Sequence, residues 1–316
     1  MFSRELASHG RAFVNYQALS QVEVKDMTID GFPAKLFFNP ARVRSVMADV
    51  SPEALQKRAC FLCPDGVEEH QLTHNWDSPT GHTYYIRVNP FPIFSPHFTV
   101  SSSVHERQEI LPHLESMLHL AKELPEMTIF YNGPMCGASA PDHMHFQAVP
   151  RHSLPIEDHF NANYANAILV QETDLQDHLA AVKRVLSLGT IPEEASQTGS
   201  LTAGASHAEE YEPRWNIVSW YEQESNSPQD GLTAAGGLTS NSQRRSFNTI
   251  VFFRRASRPQ CFFAPEPERI LFSPATVEMG GIGIVANRES FDRLTPSKLR
   301  DIIREVADIC YSTSHI

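Results

Sequence analysis

From His143 to Gln147 the chain reads His143-Met144-His145-Phe146-Gln147, with polar and apolar side chains in strict alternation. A strand sends successive side chains to opposite faces. As a strand, this stretch places His143, His145 and Gln147 on one face and drives Met144 and Phe146 into a core. The segment before it, residues 131–141, contains Gly133, Gly137, Ala138 and Ser139, small residues whose backbone other groups can approach closely. A row of imidazoles beside such a loop suits chemistry better than packing. The rest of the chain has to be arranged around one strand with a polar working face.

The flanking pattern supplies more of a sheet. Residues 83–88 and 97–102 read as strands on either side of Asn89-Pro90-Phe91-Pro92. Residues 106–124 read as a helix, with Ile110, Leu111, Leu114, Met117, Leu118 and Ala121 near helical spacing. Residues 127–132 and 143–149 follow as strands. A meander with one helix inserted predicts an α+β fold, an antiparallel sheet with flanking helices, over a doubly wound sheet.

After Arg151 the texture changes. Residues 177–188 read as a helix. Residues 191–246 are rich in Ser, Gly, Thr, Ala and Glu, with a strand expected at 214–221. Almost no large apolar side chain occurs over 222–245, which predicts a mobile surface insertion at about 192–246. Strands are expected again at 247–253, 260–263 and 281–285. The last helix is expected over 296–311, with Thr295 as N-cap and Pro296 at the first helical position. The second part loosely repeats the first, so two units are expected, 1–155 and 156–316.

The 316 residues, 41% hydrophobic and 20% charged, describe a globular chain long enough for a sizeable core. With 26 basic against 37 acidic residues and no basic run, nucleic acid is not an expected partner. No stretch approaches the ~20 apolar residues of a membrane span. The first residues lack the apolar core of a signal peptide, so a cytoplasmic location is expected. Five cysteines do not make a disulfide framework in a chain of this size. Cys60-Phe61-Leu62-Cys63 therefore reads as a metal-binding pair, a redox pair or two buried thiols. Zinc takes about four N or S ligands, so two more would come from elsewhere, and His105 and His143 are the best placed.

His145 is the candidate nucleophile. A neutral imidazole can attack an α-phosphorus and carry the nucleotide covalently. It needs its other nitrogen hydrogen-bonded, often to a backbone carbonyl, so that the attacking nitrogen is unprotonated. Gln147 cannot act as an acid, but its amide can donate to a phosphoryl oxygen. Backbone N–H groups of Gly137, Ala138 and Ser139 could serve the same oxygens.

These residues also carry a family resemblance. The chain resembles the histidine-triad superfamily, in the branch where glutamine replaces the third histidine of His-x-His-x-His. That branch holds galactose-1-phosphate uridylyltransferases, diadenosine tetraphosphate phosphorylases and GDP-hexose phosphorylases. The match runs through Phe38-Asn39-Pro40-Ala41-Arg42, Cys60 to Pro64, Asn89-Pro90-Phe91-Pro92-Ile93, Ser102-Ser103-Val104-His105 and Asn132 to Gln147. It continues more weakly through Phe272-Ser273-Pro274 and Met279-Gly280-Gly281-Ile282. The wording of His143 to Ala148 is nearest to the GDP-hexose phosphorylases and their uncharacterised bacterial relatives.

The resemblance implies two fused histidine-triad-like halves. It implies a nucleotidyltransferase of the phosphorylase type, with His145 as nucleophile and Gln147 holding the transferred phosphate. Cys60, Cys63, His105 and His143 match a structural zinc set. Asn89 matches a position near the nucleoside, and Asn132, Gly137 and Ser139 match the phosphate-side loop. The implied partners are a nucleotide-sugar, such as a GDP-hexose, and inorganic phosphate, in a monomer or homodimer. A dinucleoside polyphosphate substrate is the alternative. A non-catalytic, zinc-stabilised nucleotide-binding protein is a second.

The chain also departs from the pattern. The second half has no His-x-His, so only the first is expected to be catalytic. Asp142 looks like an extra residue before His143. No phosphate-binding lysine stands out; Arg42, Arg44, Lys57 and Arg58 are near in sequence, as are Arg254, Arg255 and Arg258 in the second half.

Overall fold

In chain order the strands are β1 (Glu23–Ile29), β2 (Phe32–Phe38), β3 (Thr73–Asp77), β4 (Thr83–Val88), β5 (Phe98–Ser102), β6 (Met127–Asn132), β7 (His145–Pro150), β8 (Ala167–Glu172), β9 (Trp215–Gln223), β10 (Arg245–Phe253) and β11 (Ile282–Val285). The structure, a computed structural model, describes residues 2–6, 10–43, 51–67, 71–190, 212–223 and 245–307. Most of the expected insertion, Arg44 and the expected helix end beyond 307 lie outside the described residues. Eight strands form one antiparallel sheet in the order β3-β4-β5-β7-β6-β9-β10-β8. A second sheet, β1-β2-β11, joins β11 parallel to β2.

The large sheet contains the same unit twice. β5, the helix Leu114–Glu123, β6 and β7 lie in the order β5-β7-β6. β8, the helix Leu175–Ser187, β9 and β10 lie in the order β8-β10-β9. β6 pairs antiparallel with β9, from Ile129 opposite Ser219 to Asn132 opposite Asn216, so the two units meet as a two-fold pair would.

Each face of this sheet has its own core. Met144, Phe146, Ile129, Tyr131, Ile217 and Val251 face the two helices, against Leu114, Met117, Leu118, Val182 and Leu186. Phe130, Val149, Val218, Ile250 and Phe252 face the other way, against the β1-β2-β11 sheet and the helix Pro296–Val306. β9 and β10 are covered on both sides, so they read as near-continuous apolar runs. β7 alternates. Met144 and Phe146 are fully buried, and burial of each large apolar side chain is worth ~1.5–3 kcal/mol. A one-residue slip would take Phe146 out of the helix-side core and turn the polar residues into it, so this register is strongly specified.

Some expectations are corrected. The helix expected over 106–124 begins only at Leu114. Pro112 has no N–H and disfavours the helical region at Leu111. Tertiary bonds also claim the preceding backbone: Met144 N–H donates to Glu106 O at 2.8 Å and Ile110 N–H to Glu212 Oε2 at 2.8 Å. Gln260–Phe263 is a helical turn after Pro259, not a strand. His143 precedes β7, and His105 follows β5 in irregular chain, so neither lies in a strand.

Glu212 carries a pH dependence. Burial pushes its carboxyl up to about 7 from the ordinary 4.5, although Tyr131 Oη–H and Ile110 N–H both donate to it. The folded state therefore holds a proton that the unfolded state has released. This contribution to stability is full below about 4.5 and is lost as pH rises through about 7. The thermal midpoint is expected to fall between those limits, and Glu212→Gln is expected to flatten the fall. An unchanged slope in the variant would refute the assignment.

Candidate active site and metal centre

His145 opens β7 on the face turned away from the helices and is 5% exposed. Its Nδ1–H donates to the backbone carbonyl of His143 at 2.8 Å. That bond assigns the single proton of a neutral ring to Nδ1 and leaves Nε2 with its lone pair. Burial pushes the pKa of the ring down to about 4, so it is neutral near pH 7. A neutral imidazole with a bare Nε2 can act as a nucleophile.

The backbone of the same residue is clamped. β6 and β7 pair directly from Met127–Pro150 to Phe130–Gln147. At the next position the amide of Gln108 is inserted. Its Oε1 accepts from His145 N–H at 2.8 Å, and its Nε2 donates to His145 O at 3.0 Å and Asn132 O at 2.9 Å. Gln108 is 1% exposed and stands in for a missing length of strand. Sequence reading assigned it to a helix and missed it; no local spacing reveals a side chain that completes a ladder from outside.

Gln147, half-buried, follows two residues along the same face. Its Oε1 lies 2.8 Å from His97 Nε2 and 3.4 Å from Asn89 Nδ2. Asn89 Oδ1 accepts from Phe91 N–H at 2.8 Å, which fixes the turn into the proline loop. Asn89 therefore borders Gln147. His97 was read only as the start of a strand; a fully buried histidine beside the working face gives it significance.

The small-residue loop carries Gly137 and Ser139 past the end of β6. Gly137 has φ +97°, and a Cβ there would sit 2.4 Å from Ala275 Cβ, so a side chain is excluded on both counts. Ser139 is half-buried in the same loop. Asn132 is buried, and its Oδ1 accepts from Thr276 N at 2.9 Å, Thr276 Oγ1 at 2.7 Å and Asn216 Nδ2 at 3.2 Å. Its side-chain oxygen therefore ties β6 to Thr276 and β9, and any ligand contact of the side chain would have to use its Nδ2.

The cations considered from sequence scatter. Arg58 pairs with Asp142 at 2.5 Å, which gives the apparently extra residue a partner next to His143. Arg42, half-buried, donates to Phe91 O at 2.5 Å. Lys57 is exposed. Arg254 is 3% exposed and donates to Asn216 Oδ1 at 2.6 Å and to the carbonyls of Pro274, Ala256, Ser257 and Val306, so it is a structural tie. Arg255 donates to Glu305 O and is exposed, while Arg258 lies over the Phe262 ring at 4.3 Å. On β10, the strand related to β7, the buried residues of the working face include Ile250 and Phe252, with no histidine among them.

Cys60, Cys63, His105 and His143 converge beside the start of β7, with one ligand atom of each within 4.8 Å of the others. Cys60 Sγ lies 3.3 Å from His143 Nδ1, and Cys63 Sγ lies 3.2 Å from His105 Nδ1 and 3.5 Å from His143 Nδ1. A tetrahedron with bonds of ~2.3 Å to sulfur and ~2.0 Å to nitrogen has edges of roughly 3.3–3.8 Å. His143 Nε2–H donates to Ser102 O at 2.9 Å, which turns its Nδ1 toward the two sulfurs and His105 Nδ1, the last at 3.2 Å. Two thiols and two imidazoles at these separations fit a metal ion. The loop is shaped for it: a Cβ on Gly66 would meet Cys60 O at 2.1 Å, and Arg87 donates to Leu62 O at 2.7 Å.

Residues 1–150 match the family model described as a domain of unknown function, DUF4922. No curated protein matches the chain. Among solved structures the chain is similar to yeast Ap4A phosphorylase Apa2, with 14% identity, a TM-score of 0.52 and coverage of 94% of this chain and 96% of that one. It is similar to the same yeast enzyme in complex with AMP (14% identity, TM-score 0.50, 96% of each chain) and with Ap4A (15% identity, TM-score 0.50, 97% of each chain). At this identity the likeness is one of fold, and the α+β expectation agrees with it.

Proposed function

We propose that the chain is a nucleotidyltransferase of the phosphorylase type, working through a covalent nucleotide on His145. The observation that carries this is the Nδ1–H bond of His145 to the His143 carbonyl in a buried, neutral ring. Nε2 attacks the α-phosphorus of a nucleoside diphosphate hexose, for which a GDP-hexose is the first choice. An N–P bond forms as the bond to the hexose 1-phosphate breaks. Inorganic phosphate then attacks the same phosphorus, the N–P bond breaks, and a nucleoside diphosphate leaves with the ring neutral again. Gln147 donates to the phosphoryl oxygens in both steps, aided by N–H groups of the Gly137–Ser139 loop. Gln147 has no proton to give a leaving group, which suits transfer to phosphate better than hydrolysis.

Zinc held by Cys60, Cys63, His105 and His143 would supply structural restraint. Its donor set would be closed, with no position left for substrate. Its part is to hold His143, whose carbonyl fixes the His145 tautomer.

A second reading has the same chemistry with a dinucleoside polyphosphate. It is favoured by the likeness in fold to yeast Apa2, whose structure with Ap4A is known. Incubating the protein with phosphate and GDP-glucose, UDP-glucose or diadenosine tetraphosphate separates the two. GDP and glucose 1-phosphate are expected from the first; ADP and ATP from the last would move the assignment. Nucleotide binding with neither turnover nor label retained from an α-phosphate-labelled nucleotide would leave only a binding protein.

A further inference from the structure

His97 is fully buried, lies at the end of the loop that begins at Asn89 and immediately precedes β5. Its Nδ1 is 3.1 Å from the backbone nitrogen of Ile93. A backbone N–H can only donate, so Nδ1 must accept. A neutral imidazole has one proton, and that proton is then on Nε2, 2.8 Å from Gln147 Oε1. An amide nitrogen cannot accept, so the atom of Gln147 that meets His97 has to be its oxygen. Asn89 agrees independently. Its Oδ1 is taken by Phe91 N–H, so the side it turns to Gln147 is the Nδ2 donor. These bonds leave the Gln147 amide one orientation, with Oε1 inward and the NH2 group toward the working face.

We infer that His97 is a positioning residue that orients the Gln147 amide, so that a donor and not an acceptor meets the phosphoryl oxygens. This rests on the reading of Gln147 proposed above. Without it, the amide could turn over and set a carbonyl oxygen against phosphoryl oxygens, at the one residue of the strand that offers them a side-chain donor. Burial and the Arg42 guanidinium push the His97 pKa down to about 3, which keeps its acceptor nitrogen open. The backbone of His97 is held from the other side by the helix Arg11–Ala18. Tyr16 Oη–H donates to His97 O at 2.9 Å, and Tyr16 Oη accepts from His97 N–H at 3.1 Å.

Two substitutions separate positioning from packing. His97→Gln keeps a donor near the place of Nε2. His97→Asn keeps an acceptor near the place of Nδ1 and loses the donor. With the substrate that wild type turns over, His97→Asn is expected to lower kcat by roughly 10–100-fold with little change in KM, below the ~10²–10³-fold of an oxyanion donor removed outright, because the Gln147 amide is misoriented and not deleted. His97→Gln is expected to recover most of that loss. In a Gln147→Ala background His97→Asn is expected to add nothing, since both remove one function. Equal damage from both variants, or losses that multiply in the Gln147→Ala background, would overturn the inference. Nitrogen NMR of histidine-labelled wild type, with His97 assigned from its variants, tests it without turnover. An Nε2–H tautomer is expected, and an Nδ1–H tautomer overturns the assignment. Absence of turnover on every substrate tested would refute the proposed function alone, and the tautomer would still decide the orientation of Gln147.

Discussion

His145→Ala is expected to lower turnover by a factor of ~10⁴ or more, the scale on which loss of a covalent nucleophile is felt. It is also expected to abolish retention of label from an α-phosphate-labelled nucleotide. The fold should survive, because the site is built around the residue more than upon it. The backbone N–H and C=O of His145 stay clamped by Gln108, and Met144 and Phe146 still anchor the strand in the helix-side core. A thermal midpoint close to wild type would show that the loss is chemical. The carbonyl of His143 loses its imidazole partner, which costs about 1 kcal/mol if water replaces it. Full activity in this variant would refute the covalent mechanism. Loss of label with most turnover retained would mean direct transfer to phosphate, with His145 merely lining the site.

The part of the site that could be read from sequence is the part with local periodicity. Met144 and Phe146 are in the core as alternation requires, and His145 and Gln147 share the opposite face. The Cys-x-x-Cys spacing is likewise local, and the fold brings His105 and His143 to it. What could not be read works across the fold. Gln108 and Tyr16 each complete the hydrogen bonding of another element's backbone, and no spacing in their own segments marks that task. The same cause shortened the expected helix at 106–113, where amphipathic spacing lost to bonds with residues of the loop before β7 and with Glu212. Asn132 looked like a loop-side ligand, yet most of its bonding holds Thr276 and Asn216 of the second half. A buried asparagine in the apolar run of β9 was the available signal for that junction.

Loss of the proposed zinc is the second large effect expected. Cys63→Ser is expected to lose bound zinc and to lower the thermal midpoint by roughly 10 °C or more, since several kcal/mol of ligand binding are folding energy. Activity should fall with it, because the centre and the nucleophile share a residue. His143 offers Nδ1 to the cluster and Nε2–H to Ser102 O, while its carbonyl receives Nδ1–H from His145. A loosened His143 would let the His145 ring rotate or take the other tautomer, and Nε2 would no longer be bare. Neither Cys63 nor His105 makes a bond to His145 among the described residues, and both reach it through His143, at 3.5 and 3.2 Å from its Nδ1. His105→Ala should therefore cost metal, stability and activity as Cys63→Ser does, at a temperature where both variants stay folded. Metal content by atomic emission, with melting and turnover on the same samples, tests each step. Protein purified without chelator and found free of zinc would remove the premise. Zinc stripped with a lower melting point but undiminished turnover would confine the metal to folding and break its link to His145.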